Sequence, residues 1–342
     1  MTHPYKSMPP RAFWRSATAP NEAGLIPGLY APRLTISKHT AVATAGSCFA
    51  QHIARALRNA DCNLLDTEPP LRRMPPDLAA RFGYGLFSAR YGNIYTPRQL
   101  LELLHDAQAG VVDPALVWEK DGRFYDALRP AVEPQGLEAA EDVLTHRHFH
   151  LDRVTQMITQ ADLFVFTLGL TEAWVDLTTG RTLPVCPDVI AGEFDPARYQ
   201  LKCFTYDEVL DDLIQIRKIL REVRPEIRML LTLSPVPLTA TARPHHVLTA
   251  SMAAKATLRA AADAFVLTHE DADYFPSYEI VTSPVCGGPW FEPNGRDIRP
   301  DGVDRVMQYF FDAHGIDRQV SAAEDHDDDP VCEDILLQAF AP

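Results

Sequence analysis

The sequence lacks long apolar runs and is short of lysine and arginine, and these two shortages exclude large classes of protein. No stretch of its 342 residues approaches the roughly 20 consecutive apolar residues that cross a bilayer. Its 32 Lys and Arg are outnumbered by 46 Asp and Glu, which gives a formal net charge of −14. A nucleic-acid-binding surface needs clustered cations that dominate the local field. We therefore expect neither a membrane nor a nucleic acid as a partner.

Paired cysteines and targeting signals are also missing. The six cysteines are scattered, with no C-x-x-C pair and no histidine nearby at zinc-ligand spacing. In a chain of this size that pattern predicts free thiols in a reducing compartment. No apolar stretch with a small-residue cleavage site follows the basic N-terminus. We predict a cytoplasmic protein without metal or cofactor. The sequence also has no glycine-rich phosphate loop of either standard spacing.

Segments typical of strands and helices alternate along most of the chain. Apolar runs typical of buried parallel strands occur at 41–45, 162–169 and 228–233, with a shorter one near 272–275. Amphipathic helical patterns separate these runs. Alternation of this kind predicts a three-layer α/β/α sandwich around a central, mostly parallel sheet.

One α/β domain accounts for most of the length. We place it at 39–318, after an irregular proline-rich segment at 1–38 and before an acidic tail at 319–342. Segments 66–97 and 111–141 interrupt the domain as insertions, the second with a hairpin-like pattern. Long excursions of this kind are often functional, and we expect both to shape a substrate pocket.

A serine follows the first predicted strand, where a helix begins. Ligands in open α/β sheets bind beyond the carboxyl ends of the strands, and the helix N–H groups would point at the space above Ser47. A helix N-cap is the alternative role for this serine. Cys48 would be the stronger nucleophile at a helix N-terminus. Because adjacent residues in a turn point apart, we expect Cys48 to pack inside.

Two further strand-end or loop segments carry polar residues. Gly92 and Asn93 could present a backbone N–H and an amide to a developing oxyanion, although the same pair also favours an ordinary turn. Thr171 and Glu172 follow Gly169 after the 162–169 run, and they could equally form a helix-capping pair.

Histidines occur in two clusters. His245 and His246 follow the polar segment 233–238 that ends the 228–233 run. Histidine is the side chain that accepts a serine proton near neutral pH. His146, His148 and His150 form the second cluster. Their spacing puts His146 and His150 on one helix face. We expect His150 to be a helix residue that faces the active cleft rather than a metal ligand.

Residues 46–50 spell Gly-Ser-Cys-Phe-Ala, and here the chain resembles a known family. This is the name-giving signature of the GSCFA family, which is similar to the SGNH/GDSL superfamily of serine hydrolases. Further blocks resemble the family in the expected order at 88–95, 166–174, 234–238 and 274–279. The resemblance covers about residues 40–312. It implies a flavodoxin-like three-layer fold and a serine that attacks an ester or acyl group.

The same resemblance implies roles for individual residues. Ser47 matches the nucleophile, and its own N–H and Gly92 match the oxyanion donors. The superfamily usually has an asparagine two residues after the glycine of the third block, but here Thr171 follows Gly169 at that distance. The side-chain donor would therefore be Thr171 or Asn93.

The last block departs from the superfamily pattern. An Asp-x-x-His usually precedes the final helix, whereas this chain reads Asn-Gly-Arg-Asp at 294–297. The base could be His246, oriented by Glu172 or Glu279. It could be Asp297, although a carboxylate of ordinary pKa is a poor partner for a serine hydroxyl. Alternatively the fold has lost hydrolysis and only binds a ligand.

The prediction is a serine hydrolase or O-acyltransferase that acts on a short acyl ester, such as an acetyl ester, through an acyl-enzyme at Ser47. The partner would be a small-molecule or saccharide acyl substrate. Water or a second hydroxyl could take the acyl group, and the same residues would serve both reactions. The alternative is a catalytically degenerate SGNH-fold module that binds a carbohydrate or acyl ligand.

Overall fold

The computed structural model describes residues 3–317 and 333–341. Its α-helices are α1 Trp14–Ala17, α2 Cys48–Asn59, α3 Pro76–Arg81, α4 Pro97–Ala109, α5 Ala140–Gln160, α6 Tyr206–Val223, α7 Val247–Thr268, α8 Ser277–Thr282 and α9 Pro300–His314. Its strands are β1 Val42–Gly46, β2 Val117–Lys120, β3 Arg123–Asp126, β4 Leu163–Leu168, β5 Glu172–Asp176, β6 Arg181–Leu183, β7 Tyr199–Cys203, β8 Arg228–Leu233 and β9 Ala272–Phe275. Short 3₁₀ helices lie at Pro4–Ser7, Pro10–Ala12, Pro114–Leu116, Pro284–Cys286 and Glu333–Phe340. None of the helices in the described residues is long and apolar enough to cross a membrane.

A parallel sheet forms the centre of the molecule. Its strands are arranged in the order β1-β4-β8-β9, and every pairing is parallel. On the outer edge of β1, Leu64 makes one parallel bridge with Val42, where a further strand would lie. The register pairs Gly46 with Thr167 at the ends of β1 and β4. The carboxyl ends of the strands therefore meet at one edge, which we call the carboxyl edge.

Helices cover both faces of this sheet, which confirms the three-layer α/β/α prediction. Side chains alternate along a strand, so Ala43 and Phe164 face the core under α4, α5, α6 and α7. Val42 and Leu163 face the second core, under α2, α8 and α9. Both faces are apolar because neither sees solvent, which explains the continuous apolar runs in the sequence.

Two small antiparallel sheets lie beside the main one. The hairpin β2–β3 turns at Asp121 and Gly122, whose φ angles of 52° and 72° match the turn that hairpins favour. The predicted hairpin is thus present. The second sheet has the order β6-β5-β7 and was not predicted. Its short, partly polar strands carry little pattern of their own. They become a sheet because they bury apolar residues against the hairpin in a shared core, as Tyr199 and Trp118 do.

The chain before β1 is partly packed into the domain. Leu25, Tyr30, Leu34 and Ile36 join the core under α9. The backbone N–H of Ile26 also donates to the Tyr309 hydroxyl at 2.7 Å. The acidic segment 319–332 lies outside the described residues.

Candidate active site

A tight turn ends β1 and places Ser47 at the carboxyl edge. Gly46 has φ +145°, and a Cβ there would lie 2.5 Å from the Thr167 carbonyl oxygen. The Ile94 N–H donates to the Gly46 carbonyl at 2.9 Å, and the Ser47 N–H donates to the Thr167 carbonyl at 3.3 Å. Only glycine fits this close approach of two backbones. The turn therefore fixes Ser47 between β1 and β4.

The Ser47 hydroxyl is buried and makes no hydrogen bond with any described residue. Ser47 occupies the N-cap position of α2, yet its side chain accepts no capping hydrogen bond. The whole residue is only 3% exposed. An unpaired buried hydroxyl costs about 1–3 kcal/mol, and such atoms call for an explanation. Cys48, the next residue, is buried at the first turn of the helix.

Gly169, just after β4, forms the wall against which Ser47 rests. A Cβ on Gly169 would lie 2.9 Å from the Ser47 Cβ and 3.0 Å from the Tyr95 carbonyl oxygen. The N–H groups of Gly169 and Leu170 both donate to that carbonyl, at 3.1 and 2.8 Å. The carbonyl of Gly169 accepts from the Nζ of Lys255 at 2.8 Å. Hydrogen bonds therefore fix this turn through its N–H groups and through its carbonyl.

Lys255 is a functional candidate that the sequence analysis missed. It lies on α7 and is only 3% exposed, and lysine is almost never buried to that extent. A signal was present in the sequence, since Lys255 is the one charged residue between His246 and Arg259 in an alanine-rich helix. Helical periodicity alone did not show that it points to the carboxyl edge.

The predicted oxyanion donors lie at the same edge. Gly92 adopts φ +70°, which glycine accommodates readily. The Oδ1 of Asn93 accepts from the Nε2 of Gln51 at 3.0 Å, and Gln51 lies one helical turn beyond Ser47. This contact makes the nitrogen the donor end of the Asn93 amide. Thr171 is buried, and its carbonyl accepts from the Phe204 N–H at 2.8 Å.

Glu172 opens β5 rather than capping a helix. Its two carboxylate oxygens accept from the Thr241 hydroxyl at 3.0 and 2.8 Å, and the Arg243 guanidinium lies 3.9 Å away. Burial raises the pKa of this carboxyl above its usual value. Glu172 thus anchors the loop between β8 and α7, which carries His246 at its end.

His246 is exposed at the N-cap of α7. Its Nδ1 accepts from the backbone N–H of Leu248 at 3.1 Å. A neutral ring that accepts at Nδ1 carries its proton on Nε2. In this arrangement His246 therefore cannot take a proton at Nε2, and a role as base requires that the capping hydrogen bond be released.

The second predicted carboxylate, Glu279, lies on α8. It accepts from the Arg259 guanidinium at 2.6 Å and from the Tyr274 hydroxyl at 2.9 Å. Within the described residues, neither Glu172 nor Glu279 hydrogen-bonds to His246. Both carboxylates bind other partners here.

Residues 294–297 form a turn of their own. The Asn294 side chain donates to the Asp297 carboxylate at 2.6 Å and accepts from the Asp297 backbone N–H at 3.0 Å. The Arg296 guanidinium donates to the same carboxylate at 3.0 Å. The local turn therefore occupies the Asp297 carboxylate.

His150 is buried in the middle of α5. Its Nδ1 lies 2.7 Å from the Glu68 carboxylate, which also accepts from the Arg90 backbone N–H at 2.8 Å, and its Nε2 has no partner among the described residues. Burial and the nearby Arg129 lower the pKa of His150 to about 4. The contact ties the 66–97 segment to α5. No group of three or more metal-ligating side chains occurs in residues 3–317 and 333–341.

Comparison with known proteins gives a family. The sequence profile of the GSCFA family matches residues 41–310, so the chain belongs to the GSCFA family. No curated protein matches the chain.

Two solved structures match the chain at low identity and low TM-score. One is a candidate GDSL-like lipase from Parabacteroides merdae, 15% identical, which covers 84% of this chain and 100% of its own, with a TM-score of 0.37. The other is an acetyl esterase variant with an acetate ion, 10% identical, which covers 81% of this chain and 100% of its own, with a TM-score of 0.35.

Proposed function

We propose that the protein is a serine hydrolase or O-acyltransferase that forms an acyl-enzyme at Ser47. One observation carries the proposal: the Ser47 hydroxyl is buried and unpaired at the N-terminus of α2. A hydroxyl kept for structure would cap the helix or bond a neighbour. Left unpaired beside helical N–H groups, it can serve as a nucleophile whose product charge the helix end stabilises.

The proposed reaction has two steps. In the first, the Ser47 oxygen bonds to the acyl carbon, and its proton passes through His246 to the departing alkoxide. In the second, the oxygen of water or of an acceptor hydroxyl bonds to the acyl carbon and gives its proton to the same base, and the base returns a proton to the Ser47 oxygen as the serine ester breaks. The Ser47 N–H, Gly92, Asn93 and Thr171 are the proposed oxyanion donors. The 3.3 Å hydrogen bond from the Ser47 N–H to Thr167 is long enough to yield to a stronger acceptor.

Two local changes are required before this chemistry can occur. Because Ser47 is 3% exposed, the chain over it must move before an acyl group can reach the hydroxyl. His246 must also release the Leu248 N–H. Both changes involve loops at the carboxyl edge rather than the sheet.

Labelling with a fluorophosphonate tests the nucleophile, because this probe replaces its fluoride with an activated serine oxygen. We expect one adduct by intact mass in the wild type and none in Ser47→Ala. Ser234→Ala is the matched control, since Ser234 is also buried at the carboxyl edge but its Oγ accepts a hydrogen bond from the Val236 backbone N–H at 3.2 Å. Labelling that persists in Ser47→Ala would overturn the assignment.

The second candidate is a binding module that keeps the fold without the chemistry. Two observations favour this candidate: the Nδ1 of His246 accepts from the Leu248 N–H, and Ser47 is buried. A folded wild type that no fluorophosphonate labels, and that binds an acylated saccharide by calorimetry, would establish this candidate instead.

A further inference from the structure

Lys255 contacts the same turn as the nucleophile. Its Nζ donates to the Gly169 carbonyl at 2.8 Å, while the α-carbon of Gly169 packs against the Ser47 side chain. Ser47 and Lys255 thus contact one residue between them. Lys255 lies on the face of α7 that also carries Ser251 and Leu258, both buried.

One peptide plane links Lys255 to the loop that carries the oxyanion candidates. The carbonyl of Gly169 and the N–H of Leu170 belong to the same peptide group. Lys255 donates to the oxygen of this peptide group, and the N–H of the same group donates to the Tyr95 carbonyl at 2.8 Å. Hydrogen bonds on the two ends of a peptide group polarise and strengthen each other. Loss of the Lys255 hydrogen bond should therefore also weaken the hydrogen bond from the Leu170 N–H to the Tyr95 carbonyl.

We infer that Lys255 is a positioning residue of the Ser47 site, which holds the Gly169 turn against the nucleophile through the Gly169 carbonyl. This inference rests on the proposed function for its kinetic consequence. A turn free to move by a fraction of an ångström would let the Ser47 side chain leave the geometry for attack. The positioning needs a donor at the end of the side chain, so an apolar side chain of equal length cannot supply it.

Three variants separate positioning from simple packing. Lys255→Met keeps the length and apolar stem of the side chain but loses the donor. Lys255→Arg keeps a charged donor. Lys218→Met is the control, since Lys218 is an exposed lysine on α6 whose ammonium lies 3.9 Å from the Glu222 carboxylate.

The kinetics of fluorophosphonate inactivation give the decisive readout. We expect the maximal inactivation rate of Lys255→Met to fall about tenfold or more, with the probe concentration for half-maximal rate unchanged. Lys255→Arg should recover part of the rate, and Lys218→Met should match the wild type. A Lys255→Met protein with the wild-type maximal rate would overturn the inference, because packing alone would then suffice.

Amide hydrogen exchange tests the same inference without any activity. The Gly169 and Leu170 amides should exchange faster in Lys255→Met than in the wild type and Lys218→Met. Equal exchange in all three proteins would overturn the positioning role. An unlabelled wild type would refute the proposed function alone, and the exchange result would then decide the role of Lys255.

Discussion

Gly169→Ala should disable Ser47 while leaving the protein folded. The new Cβ would lie 2.9 Å from the Ser47 Cβ, whereas ordinary contacts begin near 3.4 Å, so the two atoms must separate by about 0.5 Å. The Tyr95 carbonyl oxygen lies 3.0 Å from the same position, so it also limits where the new Cβ can move. Overpacking of this kind costs about 1–3 kcal/mol of the free energy of unfolding. A displaced nucleophile loses about 10- to 100-fold in rate.

Fluorophosphonate labelling and thermal unfolding together measure this prediction. Gly302→Ala is the matched control, because a Cβ there would meet Trp290 and Ile298 at 3.0–3.1 Å instead of Ser47. We expect both variants to lose similar stability and only Gly169→Ala to lose labelling. Equal labelling of Gly169→Ala and the wild type would refute the reasoning, since the contact between Gly169 and Ser47 would then have no effect on the nucleophile.

Three further outcomes follow from the same contacts. Gly46→Ala should destabilise the fold more than Gly169→Ala, because it adds a clash with the Thr167 backbone to a φ of +145°, and chemical denaturation measures the difference. The free energy of unfolding should fall as the pH drops from about 6.5 towards 4, since burial lowers the pKa of His52, His150 and His314 to about 4 and each resists a proton that the unfolded chain accepts. His150→Gln should flatten this part of the curve; a curve unchanged by the substitution would exclude His150 as its source. Below about pH 4.5 the fall should continue: burial raises the pKa of Glu68, but His150, Arg129 and the Arg90 backbone N–H together outweigh burial and lower this pKa to about 2. If Glu172 orients the base through its loop, Glu172→Gln should slow labelling more than Glu279→Gln, and equal rates in the two variants would remove that distinction.

The layers and most element boundaries could be predicted because they depend on local pattern. The runs at 228–233 and 272–275 coincide with β8 and β9, and α6 and α7 are among the amphipathic helices predicted to separate the runs. Each of these segments is apolar on the faces that it buries, so periodicity reveals it. The β6-β5-β7 sheet escaped prediction because its strands of three to five residues are stable only against the neighbouring hairpin.

The candidate site also has a part that the sequence predicts and a part that depends on tertiary contacts. The sequence by itself determined where Ser47 lies, because a glycine-serine turn after a buried strand can only lead to the carboxyl edge of a parallel sheet. Only the tertiary structure decided that the hydroxyl would not cap α2, that His246 would cap α7 through Nδ1, and that Lys255 would be buried against Gly169. The Lys255 contact joins α7 to a residue 86 positions earlier in the chain. No local periodicity encodes it, because it follows from which helix packs beside which strand.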